Sequence, residues 1–284
     1  MTESPSLANL SDMTQNIFYI AAALYWVSFA LRVFLWNRDH ARMERFTGLM
    51  EKAALVVLTG ALVLYIGKLQ IVDGEVRSEH YNRPVSWLLF TWSINAAHLT
   101  TEIVYGNRFT AIFANIWTAL ALSFAPWLGG AFRSIFNNDL QWLSFHRLCF
   151  LLGYSFCVLA FPLALRFLWI QYRGRHLPED ERAALERQLW KFDRLGYRMI
   201  LWALPLLSAG IITEALLLLE VGQLPGPAEI WSSQRETMLA LGTWFICGIY
   251  LHARLFFGWR NLKTAALYLG GLIVVVFGHL SQRF

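Results

Sequence analysis

Histidine is the residue type in this chain best suited to chemistry, and its seven copies fall into two sets. His40, His80 and His176 stand in polar stretches, where a solvated loop imidazole is the simplest reading. His98, His146, His252 and His279 stand within or at the ends of long apolar runs. An ionisable side chain inside such a run marks a functional site by default, because placing it in lipid is costly. Neutral imidazole is the usual axial ligand of haem iron, and helix bundles hold cofactors between facing helices. A histidine in an apolar helix can also hydrogen-bond to its neighbour, so both readings stand for each of the four.

Depth then sorts the four. His98 comes thirteen residues after the start of its run at position 85, and His252 fifteen after the start of its run at 237. At about 1.5 Å per residue, the two lie ~20 and ~22 Å from the same face. His146 and His279 lie at the opposite level, near the outer ends of their runs. The spacing predicts one histidine pair at the outer face and a second in the inner half of a membrane, each suited to a b-type haem. Glu102 follows His98 by four residues, on the same helical face, where it either orients the imidazole or marks the inner interface. Glu214 is a second carboxylate inside an apolar run. Structural zinc wants four close ligands, and no cysteine or carboxylate cluster accompanies these histidines in sequence, so haem is the better match. The cysteines, Cys149, Cys157 and Cys247, form no CxxC, which excludes a dithiol oxidoreductase and a c-type haem attachment site. GxSxG, Walker and HExxH patterns are absent, which excludes the common hydrolytic and phosphoryl-transfer sites.

The elements that must carry these residues are membrane helices. The chain is 57% hydrophobic and only 15% charged, against about 25% charged for soluble domains. Eight runs approach the ~20 residues that span a bilayer: 16–36, 53–72, 85–106, 109–128, 143–171, 197–219, 237–257 and 262–280. In lipid the backbone must satisfy its own hydrogen bonds, so these are helices. Lys and Arg number 15 in the connections 37–52, 107–108, 172–198 and 253–263, and five in the alternate segments. That asymmetry puts the first set inside and both termini outside. The net charge of +5 is therefore a topology signal, and no nucleic-acid partner is expected. The first fifteen residues lack Lys and Arg, so no cleavable signal peptide is expected. Within the longest inner connection, Pro178 and the acidic residues after it open an amphipathic helix over 179–194, with Leu185, Leu189 and Phe192 at helical spacing. The expected fold is an all-α integral membrane protein: one transmembrane domain over 1–284, a bundle of eight spanning helices in the bilayer.

Four stretches resemble the CcsA part of the System II cytochrome c synthesis machinery. They are Gly74 to Trp92, with Tyr81–Trp92 within it; His146 to Tyr154 with Ala160 and Phe161; Phe192 to Leu201 leading to Ser208–Thr213; and the stretch from Trp231 on, with Glu236–Thr237, Trp244, Tyr250–Arg254 and Gly258–Arg260. The resemblance implies haem presented at the outer face beside a Trp-rich loop, with two outer histidines as ligands and a further histidine holding haem within the membrane. By position His146 matches the first outer ligand and His252 the membrane ligand. Trp231 is the one indole in the loop Ile230–Thr237, which keeps Glu236 and Thr237 but lacks the family's other tryptophans, its Asp and its Pro. His279 stands where a second outer ligand would be needed, although not at the family's position. The implied function is delivery of haem to apocytochrome c, as a candidate component of a holocytochrome c synthase. The implied partners are a separate CcsB-like or other membrane subunit and an apocytochrome or thioredoxin-like protein. The implied location is a bacterial inner membrane or a thylakoid-type membrane. The alternative is a membrane subunit of a respiratory or photosynthetic electron-transfer complex built on the same fold, with haem or purely structural.

Overall fold

The computed structural model describes residues 7–35, 41–72, 84–106, 109–128, 145–174, 178–220, 235–259 and 262–281. At several helix ends, His279 among them, the side chains lie outside the described residues. Everything regular in the described residues is α-helix: α1 (Leu7–Phe34), α2 (Ala41–Val72), α3 (Pro84–Tyr105), α4 (Phe109–Leu128), α5 (Phe145–Gly174), α6 (Glu179–Glu220), α7 (Arg235–Phe256) and α8 (Leu262–Ser281). Five of these are long and apolar enough to cross a membrane, with spans Asn16–Leu35, Arg42–Leu64, Leu148–Gly174, Leu185–Leu216 and Met238–Phe256.

The helices depart from the sequence expectation in three places. α1 begins nine residues before the apolar run at 16, and α2 begins at Ala41 rather than at 53. Hydropathy bounds an apolar run, but Arg, Met, Glu and Lys are good helix formers, so a helix continues through them. Glu51, expected in an inner connection, therefore sits inside a helix and inside a span. The amphipathic stretch 179–194 and the run after it form one uninterrupted helix of 42 residues, not two. Gly196 at the junction does not break it, because a lone glycine costs a helix only about 1 kcal/mol, and Leu195, Met199 and Ile200 around it are buried.

By backbone contacts the chain divides into two compact units, Met1–Leu140 and Gln141–Phe284. In the first, α1 packs on α2 and α4, and α3 packs on α2 and α4, so the four helices close a ring. Its core is made of Ala21, Ala22, Tyr25, Ala54, Leu58, Leu62, Leu88, Ala119 and Leu122. The alanines let helices approach closely, as membrane bundles require when lipid is as apolar as the core. Trp92 Nε1 donates to Thr59 Oγ1 at 2.9 Å, tying α3 to α2.

The second unit repeats the ring with α5, α6, α7 and α8. α5 and α6 come close at Gly153 and Gly210, where an added Cβ would meet Leu207 at 2.8 Å and Phe150 at 2.6 Å respectively. Trp244 Nε1 on α7 donates to Ser208 Oγ on α6 at 2.7 Å. The Tyr268 hydroxyl on α8 donates to the carbonyl of Cys157 on α5.

Candidate functional site

In the second unit, α7 turns Ala240, Thr243, Cys247, Tyr250 and Leu251 inward. Its opposite face carries Phe245, Ile249, His252 and Phe256, all exposed. These positions are separated by four, three and four residues, the spacing of one helical stripe. His252 is thus the single polar residue in an outward apolar stripe. Its ring stacks on Phe256 at 4.5 Å between centroids and meets the edge of Phe257 at 5.6 Å, so aromatic contacts set its orientation.

The residues around His252 anchor the helix from the other side. Arg254 grips Asp193 of α6 through two hydrogen bonds of 2.8 and 2.5 Å, bidentate as guanidinium and carboxylate favour. It also bonds the Tyr250 hydroxyl at 3.3 Å and lies 4.6 Å above the ring of Tyr197. Asp193 belongs to the Phe192–Leu201 stretch and Arg254 to the Tyr250–Arg254 stretch. Two of the stretches that carry the resemblance thus meet in one ion pair. Gly258, with φ of 62°, closes the end of α7, and Trp259 N–H reaches back to the Ala253 carbonyl at 3.1 Å.

His146 lies in the first turn of α5 and is buried, its ring edge-on to Phe150 at 6.1 Å. The close approach of Phe150 to Gly210 holds that pair against α6. The backbone of His279 lies in the last turn of α8, with its side chain outside the described residues. Trp231 lies wholly outside the described residues. Cys157 and Cys247 face each other with sulfurs 3.6 Å apart as free thiols.

His98 is in the first unit, in different surroundings. Gly106, with φ of 63°, ends α3, and the chain turns into α4 so that Thr110 meets His98 Nδ1 at 2.9 Å. The other ring nitrogen, Nε2, stands 3.8 Å from Glu51 Oε2 and 3.7 Å from Glu102 Oε2. Glu51 is fully engaged on its far side. Arg32 of α1 donates to both its oxygens at 2.8 and 2.6 Å, and Asn115 of α4 donates to Oε1 at 2.6 Å. Arg32 also lies 4.0 Å from Glu102. All four helices of the unit therefore contribute to one buried charged group. His98 is only 1% exposed, with a carboxylate oxygen of Glu51 and one of Glu102 within 3.8 Å of Nε2.

Sequence reasoning placed Glu102 beside His98 but missed Arg32 and Glu51. The available signal was Arg32, a lone cation inside the apolar run 16–36, which needs an anion at its own depth. Glu51 was hidden because its stretch reads as a connection.

A family model for cytochrome C assembly protein matches residues 82–284 of this chain. The chain belongs to the cytochrome c assembly protein family. Within that family it is similar to the cytochrome c biogenesis protein CcsA of Trieres chinensis, 23% identical with 96% of this chain and 93% of the relative covered. It is likewise 23% identical to CcsA of Gloeobacter violaceus, over 93% of this chain and 89% of the relative. CcsA of Guillardia theta is 30% identical over 51% of each chain. No solved structure matches. Family membership and the apolar spans together make this an all-helical membrane protein of cytochrome c biogenesis. The match includes His98, Glu102, His146, Asp193, His252 and Arg254, while Arg32 and Glu51 precede it.

Proposed function

We propose that this chain binds haem and presents it at the outer membrane face for attachment to apocytochrome c. The observation that carries this reading is His252, an exposed imidazole within the outward stripe Phe245, Ile249 and Phe256. An apolar face with a single nitrogen ligand suits a flat, largely apolar macrocycle whose iron takes imidazole. The aromatic contacts to Phe256 and Phe257 fix the ring, and the Arg254–Asp193 pair fixes the helix behind it. A pre-set ligand loses less entropy on binding than a free one. When bound, b-type haem supplies the vinyl groups that take up the CxxCH thiols of the client. The chain's own part is to hold, orient and expose it.

His146 serves as an outer-face ligand in this reading, with His279 and Trp231 completing the outer site. A separate CcsB-like membrane subunit and a thioredoxin-like or apocytochrome client act at that face. The membrane is a bacterial inner membrane or a thylakoid-type one. A second reading, a subunit of an electron-transfer complex, draws on the loop Ile230–Thr237, which has a single tryptophan.

The test is the oxidised and dithionite-reduced visible spectrum of the purified chain, made with ample haem supply, alongside its His252→Ala variant. One or two b-type haems per wild-type chain and loss of one in the variant support the proposal. His252 is exposed, so its removal leaves the bundle folded. Full haem retention in the variant refutes His252 as ligand. Haem-free wild-type protein moves the chain to the second reading.

A further inference from the structure

We infer that Glu51, His98 and Glu102 form a binding site for a divalent first-row metal ion, with one imidazole nitrogen and two carboxylate oxygens as ligands. The three residues come from α2 and α3, and their ligand atoms all lie within 4.8 Å of one another. Nothing in the haem reading uses this group, which lies in the other unit from His146, His252 and His279.

His98 Nε2 faces both carboxylates of the group. It is buried with the residue 1% exposed, and it has no hydrogen-bond partner. Its distances to the two carboxylates, 3.7 and 3.8 Å, are too long for hydrogen bonds. In the tautomer that donates Nδ1–H to Thr110 Oγ1, Nε2 is the acceptor nitrogen and faces Glu51 Oε2 and Glu102 Oε2. Three converging acceptors are stabilised by a cation between them, and Arg32 hydrogen-bonds only Glu51 Oε2 of the three, at 2.6 Å, standing 4.0 Å from Glu102 Oε2. A proton satisfies one short contact of about 2.7–2.9 Å, between two atoms only. A metal satisfies all three.

The dimensions fit that second case. The triangle has sides of 3.8 Å and 3.7 Å and a third side of at most 4.8 Å, so a point equidistant from its corners lies about 2.0–2.4 Å from each. Zinc–nitrogen and zinc–carboxylate bonds are about 2.0–2.2 Å. The surroundings also fit. Metal-binding imidazoles hydrogen-bond an oxygen through their second ring nitrogen, as Nδ1 pairs with Thr110 Oγ1 here, and metal-binding carboxylates are themselves hydrogen-bonded, here Glu51 by Arg32 and Asn115. Glu102, at 13% exposed, is the least buried of the three.

The test uses Zn2+ alone on the purified full-length chain, with any affinity tag removed and metal stripped by chelator. Competition against a chromophoric chelator gives affinity, and elemental analysis gives stoichiometry. The expected result is about one Zn2+ per chain with an affinity reduced at least tenfold in Glu102→Gln and in His98→Gln. X-ray absorption of the wild-type complex is expected to show a nitrogen and oxygen shell with an imidazole signature. Glu102→Gln is the gentler variant, since Arg32 stands 4.0 Å from Glu102 and is held by Glu51. Failure of the wild type to take up Zn2+, a sulfur-containing shell, or unchanged affinity in both folded variants overturns the site. Where a variant does not fold, the wild-type stoichiometry and shell decide. Haem content of the same preparations is scored separately, so loss of one site does not decide the other.

Discussion

Replacing Arg32 and Glu51 singly and together measures how far the first unit depends on its buried charges. Arg32 is 6% exposed and Glu51 2% exposed, and the carboxylate accepts two hydrogen bonds from the guanidinium and one from Asn115. In Glu51→Met the guanidinium stays buried without its bonded carboxylate, the nearest remaining ion pair being Glu102 at 4.0 Å. In Arg32→Met the carboxylate keeps Asn115 but loses its counter-ion. Breaking a buried pair from one side costs about 3–5 kcal/mol, whereas replacing both partners by apolar groups of similar size is often close to neutral. We expect each single variant to lose about 3 kcal/mol, roughly two decades in the folding equilibrium. The double variant should fall within about 1 kcal/mol of wild type, a coupling energy of about 5–7 kcal/mol in the cycle. The assay is equilibrium unfolding in mixed micelles of increasing SDS fraction, followed by circular dichroism. Additive effects within about 0.5 kcal/mol would refute the reasoning, because independent sites add and a shared ion pair does not.

Two further outcomes follow from the geometry. Asp193→Ala and Arg254→Ala should each destabilise the second unit by about 1–3 kcal/mol, since the pair is bidentate and mostly buried, and in the same assay the double variant should lose less than the sum. Gly106→Ala should cost about 1–2 kcal/mol, because a φ of 63° is unfavourable for a residue with a Cβ, and thermal unfolding would read it directly.

The helical character of the chain and its membrane setting were legible from composition and run length. Excepting the starts of α1, α2 and α6, the expected helix ends fall within three residues of those observed. The early starts of α2 and α6 share one cause. Apolar runs record where lipid is, while helices record where the backbone can bond to itself, and charged helix formers such as Arg42, Glu44, Arg45, Lys52 and Glu186 let the second outlast the first. The stretches around His146, Asp193 and His252 were legible too, because they are continuous in sequence.

The charged group of the first unit was not legible. Arg32, Glu51, His98 and Asn115 come from four helices, and a linear reading has no term for residues 19 or 64 positions apart that meet at 2.6–2.8 Å. Depth alone put His98 and His252 in the same class, as imidazoles at equal levels in apolar helices. Packing separated them. One is enclosed by two carboxylates and a threonine, and the other projects from an apolar stripe onto a phenylalanine. Hydropathy and spacing set which residues lie in the membrane and at what level, because lipid acts on each segment independently. Which way each side chain turns, and what it meets there, follows from the rotation of every helix against its neighbours, and that is a property of the packed ring.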